Sequence, residues 1–112
     1  MDKVKVGGLT YKVELIDDLE GESGEIGHIM YKKAKIGLDS NLEEQVHNQT
    51  FVHELTHAIL MESGFSEHSE DMANRIGLVL YQVLKDNDFS FIQDKETVTV
   101  YTCDEKVEHW DK

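Results

Sequence analysis

The sequence predicts an α+β fold: a small, mainly antiparallel sheet followed by two packed helices that carry the functional residues. Three observations lead there. Apolar and polar residues alternate with period two over Val4 to Val6 and Leu9 to Ile16, a capped helical run follows from about residue 40, and a second stretch repeats its apolar residues every three or four positions. Val4 to Val6 and Leu9 to Ile16 read as strands, with Tyr11, Val13 and Leu15 on one side and Gly7-Gly8 as the turn between them. Leu19 to Gly24 is acidic and glycine-bearing and reads as a loop. Ile26 to Tyr31 and Ala34 to Leu38 are two further short strands. Ser40 followed by Glu43 has the capping-box spacing, so a helix is expected from about Leu42 to Ser63, stopped by Gly64. A second helix is expected to start after Ser66 and end near Asp86-Asn87. Its Met72, Ala73, Ile76, Val79, Leu80, Val83 and Leu84 form one apolar stripe. Thr97 to Tyr101 is a late strand candidate, and the acidic end from Asp104 is expected to fray.

A chain of 112 residues predicts a single domain spanning residues 1–112, with no internal repeat and no linker. Hydrophobic residues at 39% and charged residues at 30% make a normal globular mixture. Acidic residues number 23 against 11 basic ones, a formal net charge of -12. Phosphate backbones need Lys- and Arg-lined surfaces, so direct nucleic-acid binding is disfavoured, as is an anionic membrane; a basic or neutral partner is favoured. Cys103 is the lone cysteine, which excludes an internal disulfide and suits a reducing cytoplasm. No apolar run reaches membrane-spanning length, and the first residues lack the apolar core of a secretion signal. These features predict a soluble cytoplasmic protein.

The chemistry concentrates in His53-Glu54-Leu55-Thr56-His57. On a helix, positions i and i+4 share a face, so His53 and His57 point the same way one turn apart and can bind one Zn²⁺. Glu54 lies beside the first of these ligands, placed to reach a zinc-activated water rather than the metal and to act as general base. Phe51, Val52, Leu55, Ala58, Ile59 and Leu60 supply apolar packing around the motif. A catalytic zinc keeps three protein ligands and one open position, so a third ligand is expected past the Gly64-Phe65 break. Glu67, His68, Glu70 and Asp71 are the candidates. Glu70 is preferred because Asn74 stands one turn later, where its amide can accept the free N–H of a ligating imidazole. Small Ala73 lets the two helices approach closely.

The stretch Gln49 to Leu60, with its HELTH motif, followed by Glu70-x-x-Ala73-Asn74, resembles the gluzincin-type ImmA/IrrE metallopeptidases, and in length the small versions found in phages and mobile elements. The resemblance covers Gln49 to Leu84 and, more loosely, Gly24 to Asp39. It implies a minimal zincin-like domain, with His53, His57 and Glu70 as zinc ligands and Glu54 as catalytic base. It also implies a protein or peptide substrate bound as an extended strand along the segment Ile26 to Leu38, a recognition mode carried by main-chain hydrogen bonds. Larger members of that family carry an added domain for which this chain has no room. The group that steadies the tetrahedral intermediate has no clear match; Tyr81, Tyr31 and His28 are candidates.

Other polar residues have ordinary readings. Arg75 follows Asp71 by four positions and suits an i,i+4 ion pair. His47 lies off the ligand face and is expected to be solvated. Asp17 to Glu22 reads as a solvated acidic loop without the ligand spacing of a calcium site. His109-Trp110 fits either a packed anchor or a loose end. Two functions of different class remain: a zinc-dependent peptidase, and a catalytically silent zinc-binding protein whose acidic surface engages a basic partner. A purely structural zinc site is disfavoured, because such sites are closed by four Cys/His ligands and one cysteine is too few.

Overall fold

The computed structural model describes residues 1–93 and is α+β, with a four-stranded mixed sheet and two packed helices. Strands β1 (Lys3–Val6) and β2 (Leu9–Ile16) form an antiparallel hairpin in which Val6 faces Leu9, leaving Gly7-Gly8 as the two-residue turn. The chain then makes a one-turn helix α1 (Leu19–Ser23), runs out along β3 (Gly27–Met30), and turns back through a 3-10 turn at Tyr31–Lys33 into β4 (Lys35–Asp39). Strand β4 inserts between β2 and β3, parallel to the first and antiparallel to the second, so the order is β1-β2-β4-β3. Among the described residues β3 therefore has one strand neighbour and forms a sheet edge.

Helix α2 (Glu44–Glu62) lies across the sheet, and α3 (Glu70–Asp86) packs on α2. Tyr11, Ile36 and Leu38 are fully buried between sheet and helix, with Val6 and Ala58 beside them and Val4, Val13, Ile29, Phe51 and Leu55 at the margin. Strand alternation explains the choice: Ile36 and Leu38 turn to α2, whereas Gly37 turns to the opposite face, where Ile16 and His28 lie over it. The Tyr11 hydroxyl crosses the core to donate a hydrogen bond to Glu62 Oε2 at 2.9 Å. Burial and the Glu62 carboxylate together push the Tyr11 hydroxyl up to about 12. Among the described residues no helix is long and apolar enough to cross a membrane.

Several elements differ from the sequence-based expectation. Leu19 to Gly24 is a helical turn rather than a loop, because Asp39, itself buried, accepts the Glu20 N–H at 2.8 Å while Leu19 fills the space beneath. A second bond, from the Asn41 N–H, adds to the first in holding the Asp39 carboxyl below the usual carboxylate range. Ser40 does not cap α2. Its N–H still belongs to the sheet, bonded to Ile16 O, and its hydroxyl donates to Asp17, so the helix starts later and Glu43 accepts the Gln45 and Val46 N–H groups instead. Helix α3 likewise starts at Glu70, with Ser69 as its cap, and ends at Asp86 as expected. Leu15 continues the alternation of β2 but is exposed.

The stripe on α3 is the largest difference. Only Ala73 and Gly77 are buried, while Met72, Ile76 and Val79 are exposed. The helices meet along the small residues, roughly a quarter-turn from the large apolar ones. Thr97 to Tyr101, Cys103, the end from Asp104 and His109-Trp110 lie outside the described residues.

Replacing Tyr11 by Phe should cost about 1 kcal/mol of stability, the usual worth of such a bond. The pH dependence carries the diagnostic sign. A hydroxyl held protonated in the folded state contributes stability below pH 10 and loses it as pH rises toward 12, so wild-type stability should fall across that window more steeply than that of Tyr11→Phe. Chemical denaturation of both proteins at pH 9 and pH 11 measures the difference.

Candidate metal centre

Helix α2 has no single apolar stripe because it is enclosed on two sides, by the sheet and by α3; Thr50, Val52, Glu54, Thr56, His57, Ala58 and Leu60 are all buried. The polar side chains of Glu54 and His57 therefore sit inside packed structure, with that of His53 half-buried at its margin. Thr50 and Thr56 satisfy their hydroxyls within the helix, donating to Val46 O at 2.7 Å and Val52 O at 2.8 Å.

Helix α3 brings the third group. Glu70, its first residue, reaches both imidazoles: Oε1 lies 3.2 Å from His53 Nε2 and Oε2 lies 3.0 Å from His57 Nε2. One ligand-type atom from each of the three lies within 4.8 Å of the others, so this group can hold a metal ion. The helices must come very close for a side chain as short as glutamate to span that gap. Gly77 makes the approach: a Cβ there would stand 3.6 Å from the His53 Cα and 3.3 Å from Thr56 Oγ1.

Glu54 is buried in the same cleft, 6% exposed. Its carboxyl lies against strand β3 at Gly27, where a Cβ would stand 3.3 Å from Oε2 and 2.5 Å from the Thr50 methyl. Burial first, then the charges of Glu70 and Glu25, push the Glu54 carboxyl up to about 7. Burial likewise lowers His57, favouring the neutral form that binds metals, with the Glu70 charge opposing. Tyr31 is raised by burial and by the charges of Glu54 and Glu70. A bound cation would offset the Glu70 charge and reverse its part in these shifts.

The cleft, of about 1080 Å³, runs between β3 and the two helices, and Tyr31, Asn74 and Tyr81 line it together with the metal-type group. The chain matches no protein-family model, no curated protein and no solved structure. What the centre does is therefore read from its own residues.

Of the candidates, His53, His57, Glu70 and Glu54 converge. Glu67 stays outside the cluster, and Asp71 is engaged with Arg75, whose Nε lies 3.1 Å from Asp71 Oδ2. Tyr31, Tyr81 and His28 all line the cleft, the His28 ring lying over Gly37 on the sheet face turned away from α2. His47 lies away from the cleft, half-buried, beside Asn48 Oδ1. Asn74 does not take up an imidazole N–H, and among the described residues its amide makes no side-chain hydrogen bond. The ring partner of His57 is His68, at 2.8 Å. Gly27 and Gly77 were passed over in sequence, although a lone glycine inside a strand or helix pattern signals close backbone approach.

Removing Glu70 should weaken divalent-metal retention far more than removing Glu67, as measured by competition with a chelator on Glu70→Ala and Glu67→Ala. Equal retention in both would displace Glu70 from the centre.

Proposed function

We propose that this chain is a zinc metallopeptidase with a zincin-like arrangement of the kind found in ImmA/IrrE proteins, hydrolysing a peptide bond in an extended segment. One observation carries the reading: two imidazoles, a carboxylate from the next helix and a separate buried carboxyl share one cleft beside a sheet edge. The Glu70 contacts of 3.0 and 3.2 Å approach the edge of a tetrahedron with bonds of 2.0–2.1 Å, about 3.3 Å. Two nitrogens and a carboxylate oxygen form a donor set that suits zinc and leaves a position open. When bound, zinc acts as a Lewis acid toward a carbonyl and lowers the pKa of water.

The residues of the chain divide the remaining work. Glu54, kept near neutrality by its burial, takes the proton of the attacking water and returns it to the leaving amine. The edge of β3, which has one strand neighbour among the described residues and lies next to Glu54, pairs with the backbone of the substrate and sets the scissile bond across the cleft. Gly27 lacks a side chain, so nothing stands between that strand and the Glu54 carboxyl. A hydroxyl from Tyr31 or Tyr81 is suited to the developing oxyanion. A single cysteine suits work in a reducing cytoplasm.

A second reading follows from the charge. With a net charge of -12, the chain can also act as a zinc-stabilised acidic binding protein for a basic partner, without turnover. Glu54→Gln separates the two. The peptidase reading expects about one equivalent of zinc in both proteins, with hydrolysis of a peptide library reduced by at least ~100-fold in the variant. Partner binding that survives Glu54→Gln in a zinc-loaded but hydrolytically silent wild type establishes the binding protein instead, and a purified chain that takes up no zinc removes both.

A further inference from the structure

Between α2 and α3 a chain of hydrogen bonds leads from the helix cap to the metal-type group. Helix α2 ends in a Schellman arrangement: the Phe65 N–H bonds to Leu60 O at 2.8 Å and the Gly64 N–H to Met61 O at 3.1 Å. Gly64 at φ +96° supplies the left-handed residue that this cap requires. The cap fixes the Phe65 carbonyl, and that carbonyl lies 2.6 Å from His68 Nδ1. The other nitrogen of His68, Nε2, lies 2.8 Å from His57 Nδ1. Finally His57 Nε2 faces Glu70 Oε2 at 3.0 Å.

Donor and acceptor logic gives this chain a direction. A carbonyl oxygen only accepts, so His68 Nδ1 carries a hydrogen and donates it to Phe65 O. In neutral His68 the remaining nitrogen, Nε2, then holds a lone pair, and the hydrogen between the two rings belongs to His57 Nδ1. That leaves the lone pair of His57 on Nε2, aimed at a carboxylate oxygen. Two acceptors at 3.0 Å repel, and either a cation between them or a second hydrogen on the ring relieves that repulsion.

We propose that His68 is the positioning residue of the centre: by accepting the Nδ1 hydrogen of His57 it selects the tautomer whose Nε2 faces the metal. The inference rests on the metal-binding part of the proposed function and adds to it a device located in the interhelical loop. In sequence His68 looked like a competing ligand. In space its accepting nitrogen is spent on His57 and its donating one on the backbone, so it holds a ligand rather than being one. Second-layer partners of this kind fix ring orientation as well as tautomer, and their loss typically weakens metal binding by about 10–100-fold.

The test reads the tautomer directly in the metal-free, ¹⁵N-labelled full chain, by long-range ¹H–¹⁵N correlations of the imidazole rings. The expected result is His57 protonated at Nδ1 in the wild type and shifted to Nε2–H in His68→Ala. Zinc affinity, from chelator competition, should fall about 10–100-fold in His68→Ala and recover in part in His68→Gln, whose side-chain carbonyl can accept the same hydrogen. A merely structural role would lower stability in both variants and leave the tautomer unchanged. His57 protonated at Nε2 in the wild type overturns the proposal, as does an unchanged tautomer in His68→Ala. The wild-type measurement stands even where the alanine variant does not fold. A wild type with the Nδ1–H tautomer that nevertheless takes up no zinc supports the relay and removes the metallopeptidase reading.

Discussion

Glu70 reaches His53 and His57 because α3 can lie almost backbone to backbone on α2. Ala73 and Gly77 are the only buried residues of α3, and a Cβ at Gly77 would press on Thr56 Oγ1 and come into contact with the His53 backbone. Close packing of this sort is ordinarily a means of burying apolar area. Here Met72, Ile76, Leu78, Val79 and Leu84 of α3 are turned aside and left exposed, with Leu80 and Val83 half-buried, so the contact line delivers less of that stabilisation. What it delivers is a carboxylate at the start of one helix, placed against two imidazoles of the other.

Placing those groups together has an electrostatic consequence. Glu54 and Glu70 share a cleft, and the Glu70 charge adds to burial in making the Glu54 carboxyl harder to ionise. A cation among His53, His57 and Glu70 would relieve the Glu70 charge and make the remaining carboxyl a better proton acceptor. Glu70 Oε2 at 3.0 Å from His57 Nε2 sets two metal-type ligand atoms side by side.

The sequence showed some of these parts and hid others, for physical reasons. The i,i+4 histidines with their adjacent glutamate were legible because helical periodicity alone puts them on one face. The strands were legible from alternation, and Gly64 from its place as a helix stop. Helix α1 was hidden because a single turn has no periodicity; its cause is Asp39, which lies far along the chain and belongs to another element. Ser40 misled because a capping pattern cannot reveal that the same residue is still hydrogen-bonded into a sheet. The stripe on α3 misled because apolar spacing reports which face is hydrophobic, not which face finds the partner. His68 stood among the alternative ligands because residue type says what a side chain can do, whereas its place here is set by a carbonyl three residues earlier.

The proposed zinc centre is most directly tested by zinc K-edge X-ray absorption on the zinc-loaded chain. Two imidazole nitrogens together with carboxylate oxygen, all at roughly 2.0–2.2 Å, are expected. A sulfur scatterer at roughly 2.3 Å, or a shell with fewer than two imidazoles, would contradict the centre built from His53, His57 and Glu70.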